Sequence, residues 1–293
     1  SGRGPGLRGP AGPAGGLPWG RRFLQCKPEH FGVLYEINPW MSTAVEADPD
    51  RAMSQFERLR STLIEAGASV ELMPAAQGLP DLVFTANAGV VNGDQFVPAR
   101  FRHAQRQGET PHDTEWFGAA GFRVDPLPGG LVHEGAGDAL PFFPAGGGAV
   151  LLSGYRTRTD AASHAPLSAL LGAPVRSVEL VDERLYHLDL VFCPLDERRA
   201  IVAPIGLDRY GLAVIESLVP EILPLEDDEA LAFAANSVVV GATVVMPTCP
   251  PRVGKLLEGW GFDVAVCAVP EFQKAGGGCR CLTLALDVEL ARG

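Results

Sequence analysis

Five polar residues are planted in otherwise apolar stretches at a nearly constant interval. Asn87, Glu134, His187, Asn236 and Cys281 are separated by 47, 53, 49 and 45 residues. A polar group in an apolar segment is costly unless it is partnered. Five that converge on one polar ligand are therefore a cheaper arrangement than five separate burials. A thiol, an imidazole and carboxylates together suit covalent catalysis, in which the histidine serves as acid and base to a cysteine nucleophile. Each residue alone has a plainer reading. Cys281 could be a buried free thiol at a strand start, His187 a structural histidine, and Glu134-Gly135-Ala136-Gly137-Asp138 a turn. Their matched spacing favours the chemical reading. Cys281 also follows Gly276-Gly277-Gly278, where the backbone can come close to a bound molecule.

The elements that must position these residues repeat as well. A helix-like segment ends at a break, an alternating strand follows, and a polar turn leads into an apolar strand. The helical spacings cover 51–66, 113–120, 161–171, 209–219 and 252–260. Four of them stop at Gly67, Gly121, Gly172 and Gly261. The strands that follow are expected at 68–74, 122–128, 174–180, 221–225 and 262–266. The apolar strands that carry the polar residues are expected at 81–91, 131–140, 185–192, 233–240 and 282–288. His187 and Asp189 are two apart, so on a strand they would face the same side. The pattern predicts an α/β protein in which five units each point one strand at a shared centre. A doubly wound sheet is the other candidate, but no G-x-G-x-x-G follows an early strand.

The chain has 293 residues, 46% of them hydrophobic and 20% charged, as expected of a globular protein with a substantial core. Residues 1–20, rich in Gly, Pro, Ala and Arg, are expected to form a disordered tail ahead of a single catalytic domain over 21–293. The net charge of −11 argues against a nucleic-acid partner. No apolar run reaches the length of a membrane span, and no export signal is visible. A cytoplasmic location is expected. The six cysteines are scattered, with no paired C-x-x-C zinc spacing. Whether copies of the chain assemble is left open.

Phe84-Thr85-Ala86-Asn87, Glu134-Gly-x-Gly-Asp138, Tyr186-His187-Leu188-Asp189 and Gly276-Gly-Gly-x-x-Cys281-x-Thr283 resemble the guanidino-group modifying superfamily, in this order and over nearly the whole folded part. That superfamily includes arginine dihydrolases, arginine deiminases, dimethylarginine dimethylaminohydrolases and amidinotransferases. The resemblance implies a five-bladed α/β propeller (pentein) of ββαβ units. It implies Cys281 as nucleophile, His187 as general acid and base, and Glu134 and Asp189 holding a guanidinium. Asn38, Arg106 and Arg158 would clamp the far end of the substrate, with Arg100, Arg102 and Arg156 as nearby competitors. Asp138 would brace the glycine turn, and Cys279 would be a bystander. No metal or cofactor is implied.

Asn87 is the informative departure. Deiminases and dimethylarginine hydrolases commonly carry aspartate there, suited to a cation. An amide both donates and accepts, so it can also hold a neutral ureido group. With Ile37-Asn38-Pro39-Trp40-Met41 upstream, this version is similar to the arginine dihydrolases, which take arginine to ornithine through a citrulline-like stage. A dimethylarginine hydrolase, an arginine deiminase giving citrulline, an amidinotransferase, and a non-catalytic arginine binder on the same fold are the alternatives.

Overall fold

The structure is a computed structural model that describes residues 15–290. The chain forms five three-stranded sheets, each from the same local recipe. Two antiparallel strands are followed by a helix, which returns the chain to a third strand parallel to the second. Strand β1 (Arg22–Cys26) and helix α1 (Pro49–Glu65) lead to β2 (Ser69–Met73). Next come β3 (Gly89–Asn92), β4 (Gln95–Pro98), α2 (Glu109–Ala119) and β5 (Arg123–Val124). The third set is β6 (Ala139–Phe142), β7 (Val150–Tyr155), α3 (His164–Leu171) and β8 (Val175–Glu179). The fourth is β9 (Phe192–Pro194), β10 (Arg199–Val202), α4 (Arg209–Leu218) and β11 (Glu221–Pro224). After the short helix α5 (Asp227–Leu231) come β12 (Val238–Val240), β13 (Thr243–Met246), α6 (Pro251–Gly259) and β14 (Asp263–Val266). Helix α7 (Pro270–Gln273) and β15 (Leu284–Ala285) complete the order.

The first sheet is made from segments far apart in the chain. Strand β1 pairs parallel with β2 and antiparallel with β15, with Phe23 opposite Ala285. Asp287 holds this junction, accepting hydrogen bonds from the backbone N–H groups of Gly20 at 2.9 Å and Arg21 at 2.8 Å.

Local chemistry explains where the elements stop. The Asp48 side chain caps α1 by accepting from Asp50 N and Arg51 N, with proline at the first helical position. The four glycines expected at the breaks all take positive φ, from 64° at Gly172 to 101° at Gly67. That conformation strains any residue with a β-carbon. The inner strands β3, β6, β9, β10 and β12 are buried along nearly their whole length, whereas β2, β5, β8, β11 and β14 alternate or are half-exposed. The core therefore lies toward the first two strands of each unit. A satellite core of Phe96, Phe117 and Phe122 sits under α2, with the rings of Phe96 and Phe117 stacked 3.6 Å apart.

The folded part begins earlier than the composition suggested. Leu17 and Trp19 are buried against the main core, because an apolar pair in a Gly/Pro-rich stretch needs only a docking groove. The rest of the expected tail, residues 1–14, lies outside the described residues, as do 291–293. Among the described residues no helix is long and apolar enough to cross a membrane.

Asp287→Ala removes both acceptors at the junction of β1 and β15. It is expected to lower stability by about 1–3 kcal/mol, read as a lower urea midpoint with an unchanged slope.

Candidate active site

The chemistry-bearing residues are not in strands, as their apolar surroundings suggested, but in tight turns that lead into the strands. Thr85–Asn87, Gly135–Gly137 and Leu188–Leu190 are single 3-10 turns, and Glu134 and His187 immediately precede two of them. Crowding dictates this. Gly135 has a φ of 64°, and a β-carbon there would lie 2.8 Å from the backbone oxygen of Asn87. A β-carbon at Gly137 would lie 2.3 Å from the Asn87 amide nitrogen. Turns from neighbouring units thus meet backbone to backbone. The expected same-side pairing of His187 and Asp189 fails for the same reason. His187 is extended and Asp189 lies inside the turn, so the first bonds Glu134 and the second Cys281.

A narrow pocket with about 10 Å³ of free volume gathers Asn38, Asn87, Arg106, Arg158, His187 and Cys281 along its walls. That is room for about one water molecule. A wider cleft of about 530 Å³ adjoins it, sharing Ile37, Asn38, Arg158 and Tyr186 as walls. Of the expected competitors, Arg102 and Arg156 line only this outer cleft and Arg100 lines neither space. Glu134 and Asp189 stand one hydrogen bond behind the cavity wall.

Glu134 is fully buried. Its Oε2 receives His187 Nε2 at 2.8 Å and Arg158 Nη1 at 3.1 Å, and its Oε1 receives the Arg102 backbone N–H at 3.1 Å. Burial works to raise this carboxyl, but Arg158 and then His187 overcome it and hold the group well below the usual carboxylate range. Burial pushes His187 down to about 4, against the pull of Glu134, so the ring is neutral near pH 7. A neutral ring that donates from Nε2 to a carboxylate leaves Nδ1 as its proton acceptor.

Cys281 is held from several sides. Its Sγ donates to Asp189 Oδ2 at 3.3 Å and receives Asn236 Nδ2 at 3.1 Å. Asn236 Oδ1 accepts the backbone N–H groups of Arg280 and Cys281 at 3.0 and 3.2 Å. Burial, followed by the Asp189 charge, pushes the thiol well above its ordinary value. Burial also pushes Asp189 up to about 7, and its Oδ1 has no hydrogen-bond partner among the described residues. Neither His187 nor Arg280 therefore makes a resident thiolate here.

Arg106 turns inward. Its Nε and Nη2 pair with the two Glu109 carboxylate oxygens, both at 2.8 Å, and its Nη1 donates to Asn87 Oδ1 at 3.0 Å. That fixes the Asn87 amide, whose Nδ2 donates to the Glu134 carbonyl at 3.0 Å. Asn38 spends its side chain on backbone groups: Nδ2 donates to Ala275 O and Oδ1 accepts from Trp40 N. Asp138 braces Thr159 and the Leu188 N–H of the next turn rather than its own glycine turn. Cys279 is buried and donates to Cys267 O.

Two participants escape the reading from sequence. Asn236 was visible as one of the five evenly spaced polar residues, yet its link to the thiol needs the fold. Asp81 lines the cavity with Oδ1 unpartnered. Its only signal is a carboxylate at the head of the apolar run Leu82-Val83-Phe84. Among the described residues no group of three or more His, Cys, Asp or Glu is arranged to hold a metal ion.

Comparison with known proteins finds no matching family model. The bifunctional arginine dihydrolase/ornithine cyclodeaminase AgrE of Nostoc sp. is 43% identical over 266 residues, covering 90% of this chain. The match spans 37% of that relative's own length. The N(G),N(G)-dimethylarginine dimethylaminohydrolase of Mycobacterium tuberculosis is 36% identical, over 93% of this chain and 88% of its own. The crystal structure of the N-terminal domain of ArgZ bound to substrate, an arginine dihydrolase from cyanobacteria, superposes with a TM-score of 0.87 at 40% identity. It covers 92% of this chain and 99% of that one.

The thiol geometry carries its own test. Asp189→Asn removes the negative charge facing Cys281, and a like charge disfavours a thiolate. The inflection for iodoacetamide alkylation of Cys281 is expected to move to lower pH by about 1 unit. An unmoved inflection would show that burial alone sets it.

Proposed function

The chain belongs to the guanidino-modifying family of arginine dihydrolases and dimethylarginine dimethylaminohydrolases, and from that premise we propose that it hydrolyses arginine at the guanidinium carbon in two rounds. The observation that carries this reading is the cavity gathering Cys281, His187 and Asn87 around buried carboxylates. The five sheets are taken to close into a propeller forming one catalytic domain, because strands 262 residues apart share a sheet (285 − 23).

Substrate binding supplies what the thiol lacks. A guanidinium beside Asp189 brings a positive charge to Cys281 and favours its thiolate. The unpartnered Oδ1 atoms of Asp81 and Asp189 and the Glu134 carboxylate are acceptors suited to its N–H groups. The existing cavity is too small for it, so Arg158 has to leave Glu134. The freed Arg158 then faces the outer cleft, where a substrate carboxylate can meet it.

As Cys281 Sγ forms a bond to the guanidinium carbon, its thiol proton passes to His187 Nδ1. The C–N bond breaks, and His187 returns that proton to the departing nitrogen, which leaves as ammonia. Water, its proton taken by His187 Nδ1, attacks the thiouronium carbon and displaces the thiol, giving citrulline. In the second round Cys281 attacks the ureido carbon of citrulline, and the terminal C–N bond breaks to release ammonia, the thiol proton again passing through His187. Water then cleaves the C–S bond of the thiocarbamate, and the carbamate released loses carbon dioxide to give ornithine. Asn87 matters here because its amide tolerates a neutral ureido group where a carboxylate would not.

The decisive experiment incubates the protein with arginine and follows citrulline, ornithine and ammonia. Ornithine with two ammonia per arginine is expected, and citrulline as sole end product rejects the second round. Cys281→Ser is expected to reduce turnover by on the order of 10³-fold or more. Asn87→Asp keeps an acceptor for Arg106 but loses the donor to the Glu134 carbonyl, and is expected to shift the products toward citrulline. The full-length similarity to a dimethylarginine hydrolase supports a second reading. Release of dimethylamine from dimethylarginine faster than ammonia from arginine would favour it.

A further inference from the structure

The guanidinium of Arg106 joins the narrow pocket to a carboxylate that does not line it. Arg106 closes the single 3-10 turn Ala104–Arg106, and Glu109 opens α2 three positions later. A carboxylate in the first turn of a helix is favoured by the unpaired N–H groups there. Arg106 is 3% exposed and Glu109 2%, so water does not screen them as it would a surface pair.

The donors of Arg106 can be counted. Nε and Nη2 donate to the two Glu109 oxygens, both at 2.8 Å. Nη2 also donates to the Asp81 carbonyl at 3.2 Å, and Nη1 donates to Asn87 Oδ1 at 3.0 Å. Four of the five N–H groups are therefore committed. Two-point pairing with a carboxylate fixes the plane of the guanidinium, and with it the direction of Nη1. The neighbouring carboxyls do not do this. The Asp81 carboxylate stands 3.9 Å from Nε, and both Asp113 oxygens lack a hydrogen-bond partner among the described residues.

The consequence falls on Asn87. An arginine offers only donors and a backbone carbonyl only an acceptor. The Asn87 oxygen must therefore face Arg106, and its nitrogen the Glu134 carbonyl. A flipped amide would set donor against donor at one end and acceptor against acceptor at the other. We infer that Glu109 is a positioning residue of the reaction: by locking Arg106, it holds the Asn87 amide in the one orientation that a substrate meets beside Cys281 and His187. This role rests on arginine being the substrate, as proposed above, but not on a second round of hydrolysis.

Burial pushes Glu109 up to about 7 against the pull of Arg106, so the test is run at pH 8, where the pair is ionised. Ammonia release from arginine is followed in the wild type, Glu109→Gln, Arg106→Met and the double variant. Glutamine keeps the shape but turns an NH2 group toward an Arg106 donor. Glu109→Gln is expected to lower kcat by about 10–100-fold and to change KM by less than about threefold, because Asn87 lines the pocket with the nucleophile. In the Arg106→Met background the same substitution is expected to cost less than about twofold. Equal losses in both backgrounds would show a merely structural role and overturn the assignment. A loss confined to KM would also overturn it, by placing Arg106 at the far end of the substrate. Glu109→Asp keeps the charge but is one methylene short of the two-point contact. If the glutamine variant does not fold, a wild-type kcat in Glu109→Asp is the result that rejects the role. A wild type that releases no ammonia from arginine sinks the functional reading and this role with it, whereas citrulline as end product removes only the second round.

Discussion

The arrangement depends on keeping one fully buried carboxylate ionised. An isolated charge in that position would neutralise or expel itself. Glu134 escapes this because three donors reach it from different places in the chain: Arg102 beyond β4, Arg158 beyond β7, and His187 ahead of β9. Each donor comes from a loop at the end of a strand, so the strands must deliver these ends to within hydrogen-bond length. The constraint also reaches the histidine, because a ring donating to a buried carboxylate has one tautomer and one free nitrogen.

The thiol follows the same logic with the opposite sign. Glu134 is paired with Arg158 and stays charged, whereas Cys281 faces a carboxyl and stays protonated. The site is therefore short of one positive charge near its sulfur. A ligand that brings a planar cation supplies it, and its charge favours the thiolate of Cys281.

Much of the architecture was legible in the sequence because it is repeated. The helix breaks at Gly67, Gly121, Gly172 and Gly261 fall where a backbone with positive φ is required, and helix spacing located all five long helices to within a few residues. The apolar runs were read as strands because burial of both faces and burial in a tight turn leave the same composition. Only the close approach of Gly135 and Gly137 to Asn87 separates the two, and that is a fact about neighbouring units. Asp81 and the Asn236 clamp on the thiol escaped notice for a related reason. Their partners lie 25 residues away (Arg106) and 45 residues away (Cys281), and no local pattern links them. Arg106 and Arg158 were separable from Arg100, Arg102 and Arg156 only once the turns had directions.

The sheet shared by β1, β2 and β15 has a consequence for how the molecule assembles. Its β1–β15 pairing spans almost the entire chain, so it closes against the largest loop entropy in the molecule. Cys281 sits three residues before β15, on the segment that this closure brings home. Four units could in principle collapse earlier and display every carboxylate and the imidazole, but a chain stalled at that stage would have no sulfur in position. The position of the thiol is thereby tied to the longest-range strand pairing among the described residues.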